Sequence, residues 1–249
     1  MLDAGLQRAL TEAAATPRLL VTSDFDGTLA PIVNNPADAR PLPEAAAVLE
    51  ALAGLPDTTA ALISGRALTV LRELSGMSDA VQAVGSHGAE FDTGFIREID
   101  NTLLDTIIGE LNTIAVGRPG VTVEPKLASV ALHVRNASEA DGATALALAR
   151  EAALSWDAHA TAGKAVLEFA VIVTDKGEAV DILRNRCEAT AVVFLGDDVT
   201  DEKAFRRMRD GDVGVKIGPG DTLAGFRVDT PAAVAEILRY LADTRAGLA

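Results

Sequence analysis

Asp24 and Asp26 stand two residues apart in the stretch "VTSDFDGTLAPI" (21–32), where an apolar run gives way to Gly27 and Thr28. Side chains at i and i+2 of an extended strand point the same way, so both carboxylates can converge on one pocket. Two carboxylates that close raise each other's pKa unless a cation lies between them or one keeps a proton. "DG" also reads as a turn signal, with Asp26 as an Asx-turn residue. A second acidic cluster weighs against that alternative. "FLGDDVTDE" supplies Asp197, Asp198, Asp201 and Glu202 at the end of another apolar run. Asp201 and Glu202 suit the first turn of a helix, but Asp197 and Asp198 precede it. Two acidic strand ends facing one crevice make an oxygen-ligand site for a hard cation, and so sparse a set suits Mg²⁺ completed by water and a phosphate. Two further features fit an anionic ligand. "LISGR" puts Ser64, with the backbone amide of Gly65, at a strand-to-helix turn, and Lys176 opens a helical pattern after "VIVTD". A plain helix N-cap for Ser64 and a solvated lysine at 176 are the bland alternatives.

These residues sit at the ends of short, continuously apolar runs: 18–24, 59–65, 80–86, 191–197 and 212–218. Continuous rather than alternating hydrophobicity marks parallel strands covered on both faces. Helical patterns at 43–55, 67–76, 176–187 and 201–209 alternate with them, which predicts βαβ units and a doubly wound, mainly parallel α/β sheet. Such sheets bind ligands beyond the carboxyl ends of their strands. Residues 97–173 read differently: helix, two strands, helix, two strands. That order predicts an inserted α+β domain interrupting a core made of 1–96 and 174–249. Trp156 is read as packing within the insert, after an apolar helix.

With 49% hydrophobic and 23% charged residues the chain falls in the globular range. A net charge of −14 argues against nucleic acid as a partner. No stretch approaches the roughly 18 apolar residues of a membrane span, the first residues lack the basic region of a signal peptide, and the single Cys187 has no internal disulfide partner. A cytoplasmic protein is the expectation, without membrane or nucleic acid as partner, and as a monomer.

In chain order, "DFDGT", Ser64, Lys176 and "GDDVTDE" resemble the four-part signature of the haloacid dehalogenase superfamily, spanning Asp24 to Glu202. That resemblance implies a phosphatase working through an aspartyl-phosphate. Asp24 would be the nucleophile, ionised at an unperturbed pKa of about 3.9, and Asp26 the general acid and then base. Asp24, the backbone carbonyl of Asp26 and Asp197 would hold Mg²⁺. Ser64, Gly65 and Lys176 would bind the phosphoryl oxygens, with Asp198 and Asp201 behind them orienting Lys176 and metal-bound water.

The segment between Asp24 and Ser64 has no room for a second domain, whereas that between Ser64 and Lys176 does, so the insert resembles the cap of sugar-phosphate phosphatases. Within that class the loop "DFDGTLAPIVNNPADARPLP", "GSHGAE", "VEPKLASVALHVRN" and "GKAVLE" are similar to the trehalose-6-phosphate phosphatase family over nearly the whole chain. The link "FAVIVTDKG" departs from that family in lacking a proline. Glu124, Lys126, Ser129, His133, Arg135 and Glu168 match the family's cap pattern. They are expected to bind the sugar, and the cap to close over the core and exclude water. Charged partners make strong hydrogen bonds to hydroxyls. By parity Glu124 shares a face with Lys126, and Ser129 with His133 and Arg135. His87 lines the cleft or packs at its hinge. Six basic residues against ten acidic ones in 97–172 fit a neutral sugar better than a second anion. The resemblance further implies a small-molecule sugar phosphate as partner and a trehalose-phosphate synthase as pathway neighbour. Rival readings are phosphatases of sucrose 6-phosphate or a mannosyl-3-phosphoglycerate, a phospho-Asp receiver module, and a non-catalytic partner of the synthase.

Overall fold

The computed structural model describes residues 2–248. The chain divides into two compact units, one running to Gly94 and resuming at Thr174, the other Phe95–Val173.

The first unit begins with α1 (Ala4–Ala14), β1 (Leu19–Ser23), α2 (Pro43–Ala53), β2 (Thr58–Ile63), α3 (Leu68–Ser75), β3 (Gln82–Gly85) and β4 (Glu90–Phe91), with β5 (Gly94–Phe95) at the boundary. The insert contains α4 (Asn101–Ala115), β6 (Thr122–Pro125), β7 (Ser129–His133), α5 (Glu139–Ala152), β8 (His159–Gly163) and β9 (Val166–Ala170). The core then resumes with α6 (Lys176–Cys187), β10 (Ala191–Gly196), α7 (Glu202–Phe205), β11 (Val213–Ile217), β12 (Phe226–Val228) and α8 (Pro231–Ala246).

The core sheet has the order β12-β11-β10-β1-β2-β3-β4-β5. Its strands run parallel from β12 to β3, and β4 turns antiparallel. Every residue of β1, β10 and β11 is buried, as expected of strands covered on both faces. Thr22 is tolerated there because its hydroxyl donates to the Val193 carbonyl at 3.0 Å. The chain leaves β1 toward β2 on one side and finds β10 on the other, which makes the carboxyl ends of β1 and β10 the switch point of the sheet.

Two terminal helices that periodicity left unassigned, α1 and α8, complete this core. Leu6 and Leu10 join Val234, Ile237, Leu238 and Leu241 in one apolar cluster with α2. The helix expected at 201–209 is only α7, four residues long. Ala204 and Phe205 are its buried residues, and Arg206, Arg207 and Arg209 offer no apolar face on which a longer helix could be packed.

In the insert the sheet order is β6-β7-β9-β8, antiparallel throughout. Alternation works here as it does in half-buried sheets. Val130, Leu132, Leu167 and Phe169 face α4 and α5 and form a core with Leu104, Ile107, Leu111 and Trp156. The Trp156 ring meets Phe169 edge-on, centroids 4.9 Å apart. Among the described residues, no helix is long and apolar enough to cross a membrane.

Candidate active site

β1 ends at Ser23 and β10 at Gly196, so Asp24 and Asp197 are the first residues past two neighbouring parallel strands. Asp24 is fixed by its own N–H, which donates to the Leu195 carbonyl at 2.8 Å. Lys176 is the first residue of α6, whose N-cap Asp175 accepts the Glu178 N–H at 2.9 Å. The cap sets the helix start, and the helix start sets the lysine. The Lys176 Nζ lies 2.5 Å from Asp24 Oδ1 and 2.7 Å from Asp201 Oδ1. Lys176, Asp24 and Asp201 are all buried, which rules out a solvated lysine.

The other oxygen of Asp201 accepts the N–H groups of Asp197 and Asp198, each at 2.9 Å. Asp201 therefore holds both the lysine and the loop that carries Asp197. Asp198 contributes its backbone N–H, while the residue itself is exposed and Lys176 is bound by Asp201. Thr28 donates to Asp197 Oδ1 at 3.1 Å. Lys216, buried in β11 and concealed by its apolar run, donates its Nζ to the Asp197 carbonyl.

Carboxylate oxygens of Asp24, Asp197 and Asp201 all lie within 4.8 Å of one another. Three carboxylates gather there against the ammonium groups of Lys176 and, on the Asp197 carbonyl, Lys216, so acidic groups outnumber basic ones. Burial pushes the Asp24 carboxyl well up, Lys176 pulls it down, and Asp201 and Asp197 push it up again. Asp197 is likewise raised, by burial and then by Asp201. Burial works against the charged form of Lys176, yet Asp24 and Asp201 outweigh it and raise its pKa. The expectation of an unperturbed Asp24 is thus corrected: Asp24 is buried and crowded by like charge. Its donor set fits a hard divalent cation.

Asp26 does not join that cluster. Strand parity stops with β1 at Ser23, and the chain turns at Gly27 (φ +87°). The Asp26 carboxylate is instead gripped by the Arg66 guanidinium, Nε to Oδ2 and Nη2 to Oδ1, both at 2.6 Å. Sequence reasoning missed Arg66, although it stands in "LISGR".

Ser64 is buried at the end of β2, and its Oγ accepts the Arg66 N–H at 3.2 Å. It is not a helix cap: Ala67 holds the N-cap position of α3, and the buried Glu90 carboxylate accepts the Leu68 N–H at 2.8 Å. Two backbone bonds zip this turn to the next loop, from Ser86 N to Arg66 O at 2.7 Å and from His87 N to Ser64 O at 2.9 Å. His87 holds a left-handed conformation (φ 55°). Its imidazole lies so close over Gly65 that a Cβ there would fall 2.4 Å from His87 Cε1. Glycine at 65 is what allows this approach.

The insert gathers the polar residues on one face. Glu124 pairs with Ala131 and Ala131 with Glu168, and Ser129 and His133 lie on the same face of β7. Glu168 receives Lys126 Nζ at 2.9 Å and Ser129 Oγ at 2.7 Å. His133 Nε2 lies 2.7 Å from Glu124 Oε2. Lys126 follows the end of β6, and Arg135 sits in an exposed turn past β7, so parity places neither of them.

Together, fold and site define a haloacid dehalogenase-type core carrying an inserted α+β cap. The trehalose-phosphatase family profile matches residues 22–229, and the chain belongs to that family. A trehalose-phosphate phosphatase of Mycobacterium avium is 37% identical over 242 residues, covering 88% of this chain, which spans 61% of that relative's length. A bifunctional trehalose-6-phosphate synthase/phosphatase of Thermoproteus tenax is 31% identical over 97% of this chain and 34% of its own. Among solved structures, the trehalose-6-phosphate phosphatase of Aspergillus fumigatus superposes with a TM-score of 0.73 at 25% identity, covering 97% of this chain and 98% of that one. The C-terminal domain of the Candida albicans enzyme gives 0.76 at 25% identity, covering 96% of each chain.

Proposed function

We propose that this chain hydrolyses trehalose 6-phosphate to trehalose and phosphate through an aspartyl-phosphate on Asp24, with Mg²⁺ as cofactor. The observation that carries the reading is the constellation of buried Asp24, Lys176 and Asp201 with the partly buried Asp197 at the switch point. Support for the substrate comes from the family match and from relatives named for this activity. Asp24 attacks phosphorus. The bond from phosphorus to the sugar oxygen breaks, its electron pair stays on that oxygen, and the oxygen takes a proton from the Asp26 carboxyl. A water oxygen then bonds to phosphorus, Asp26 takes the water's proton, and the bond from phosphorus to Asp24 breaks.

Ser64 and the Gly65 amide hold phosphoryl oxygens, and Lys176 offsets their charge. Asp24, Asp197 and the backbone carbonyl of Asp26 hold the cation, with Asp201 fixing the Asp197 loop. Bound there, Mg²⁺ supplies charge neutralisation for the phosphoryl group and keeps the carboxylates ionised. On the insert, Glu124, Lys126, Ser129, His133, Arg135 and Glu168 read sugar hydroxyls. A trehalose-phosphate synthase is the pathway neighbour, in keeping with the fused Thermoproteus relative.

Phosphate release from trehalose 6-phosphate is expected to vanish in Asp24→Asn and on chelation of Mg²⁺; full activity in either case overturns the mechanism. A panel including sucrose 6-phosphate and mannosyl-3-phosphoglycerate tests the sugar.

A further inference from the structure

Arg66 is not accounted for by the chemistry above, yet both its backbone and its guanidinium are held beside Asp26. Its backbone is fixed at both ends of the residue, by Ser64 Oγ at its N–H and by Ser86 N–H at its carbonyl. Its guanidinium lies over the ring of the fully buried Phe25, 5.7 Å from the centroid, and its two nitrogens meet both oxygens of Asp26 at 2.6 Å. A two-point fork on a planar carboxylate fixes rotation as well as position, which a single donor cannot do. Each carboxylate oxygen has a second lone pair. A fork that occupies one on each oxygen leaves the other free to take or give a proton.

We infer that Arg66 is a positioning residue for proton transfer: it fixes the orientation in which Asp26 meets the leaving oxygen. This rests on the assignment of Asp26 as general acid above. Asp26 has no freedom to seek the proton's path if its carboxylate plane is set by Arg66, and it has that freedom, with the geometry lost, if the fork is removed. The idea distinguishes Arg66 from a residue that merely shapes the Ser64 turn, because only one of the two substrate classes needs the proton. A sugar alkoxide is a poor leaving group and must be protonated as it departs. The nitrophenolate of p-nitrophenyl phosphate departs without help. The ratio kcat/KM reports steps up to formation of the phosphoenzyme, where the two substrates differ.

The test is kcat/KM of Arg66→Met and Arg66→Lys for trehalose 6-phosphate and for p-nitrophenyl phosphate, with thermal melts to verify folding and with Asp26→Asn as reference. Loss of a positioned general acid costs about a hundredfold or more. Both Arg66 variants are expected to lose about that factor in kcat/KM with the sugar phosphate and less than about threefold with the aryl phosphate, a preference in the same direction as that of Asp26→Asn. Lys keeps the charge but not the fork, so it is expected not to rescue. Equal losses on both substrates overturn the proposal, since that is what a disturbed phosphate turn gives. So does an unchanged sugar-phosphate rate, or recovery by Lys. If the unsubstituted protein turns over neither substrate, or Asp26→Asn shows no preference between them, the catalytic assignment falls instead.

Discussion

Gly27→Ala separates the geometry of the cation site from the stability of the fold. Gly27 has a φ of +87°, and a Cβ built on it falls 2.1 Å from Asp197 Oδ2 and 2.4 Å from its Cγ. Two costs follow. The left-handed backbone costs an alanine about 1–2 kcal/mol. The clash is relieved by moving the Asp197 carboxylate about 1 Å, since its Oδ2 must go from 2.1 Å to at least 3.0 Å, where real Cβ contacts begin. Displacements of about 1 Å in a catalytic arrangement cost on the order of a hundredfold in rate. Gly211 provides the control. Its φ is +88°, and a Cβ there would meet nothing within 4 Å. Gly211→Ala therefore carries the same backbone strain without the clash. Both variants are expected to melt about 2–8 °C lower, from the usual relation between stability and Tm for a chain of this size. Gly27→Ala alone is expected to lose phosphate release by about a hundredfold and to bind Mg²⁺ more weakly by calorimetry. Equal activity of the two variants would refute the placement of Asp197 at the catalytic centre.

Lys126→Ala removes a charged hydrogen-bond donor from the Glu168 carboxylate. It is expected to raise KM for trehalose 6-phosphate about tenfold or more while leaving p-nitrophenyl phosphate turnover unchanged; steady-state kinetics on both substrates checks it, and parallel effects would count against a sugar-reading role. The raised carboxyls of Asp24 and Asp197, both due first to burial, set the sign of a pH effect. Groups that hold protons above the ordinary carboxylate range compete with a cation for those oxygens. Mg²⁺ affinity is therefore expected to fall as pH is lowered, and binding to release protons from these carboxyls. Calorimetry in buffers of different ionisation enthalpy measures this directly, and binding without proton release would refute it.

The core strands were legible because burial on both faces leaves only apolar runs, and the strand-end aspartates were legible because charge has few reasons to follow such a run. Arg66 was not. An arginine after Ser-Gly reads as solvated until the fold brings it to Asp26, 40 residues earlier. By composition Asp201 reads as a helix starter, and only the family resemblance pointed to its contact with Lys176; its hold on two backbone amides depends on a turn that neither reading supplied. Periodicity arguments held inside strands and failed within three residues past their ends, at Asp26, Lys126 and Arg135. The terminal helices α1 and α8 carry faces whose meaning comes only from packing on each other and on α2.

The position of β1 between β2 and β10 also bears on how the chain comes together in time. Thr22 bonds to Val193 across 171 residues, so during synthesis β1 must wait for its second neighbour until the whole insert has been made. The insert's own apolar cluster draws only on residues between Ile99 and Val171 and can close before β10 exists. Roughly half of that 171-residue separation is the insert, and doubling a loop costs only about 0.6 kcal/mol of closure entropy. The interruption is thus nearly free at equilibrium. Its cost is an interval in which the Leu19–Ser23 edge stands open to other chains.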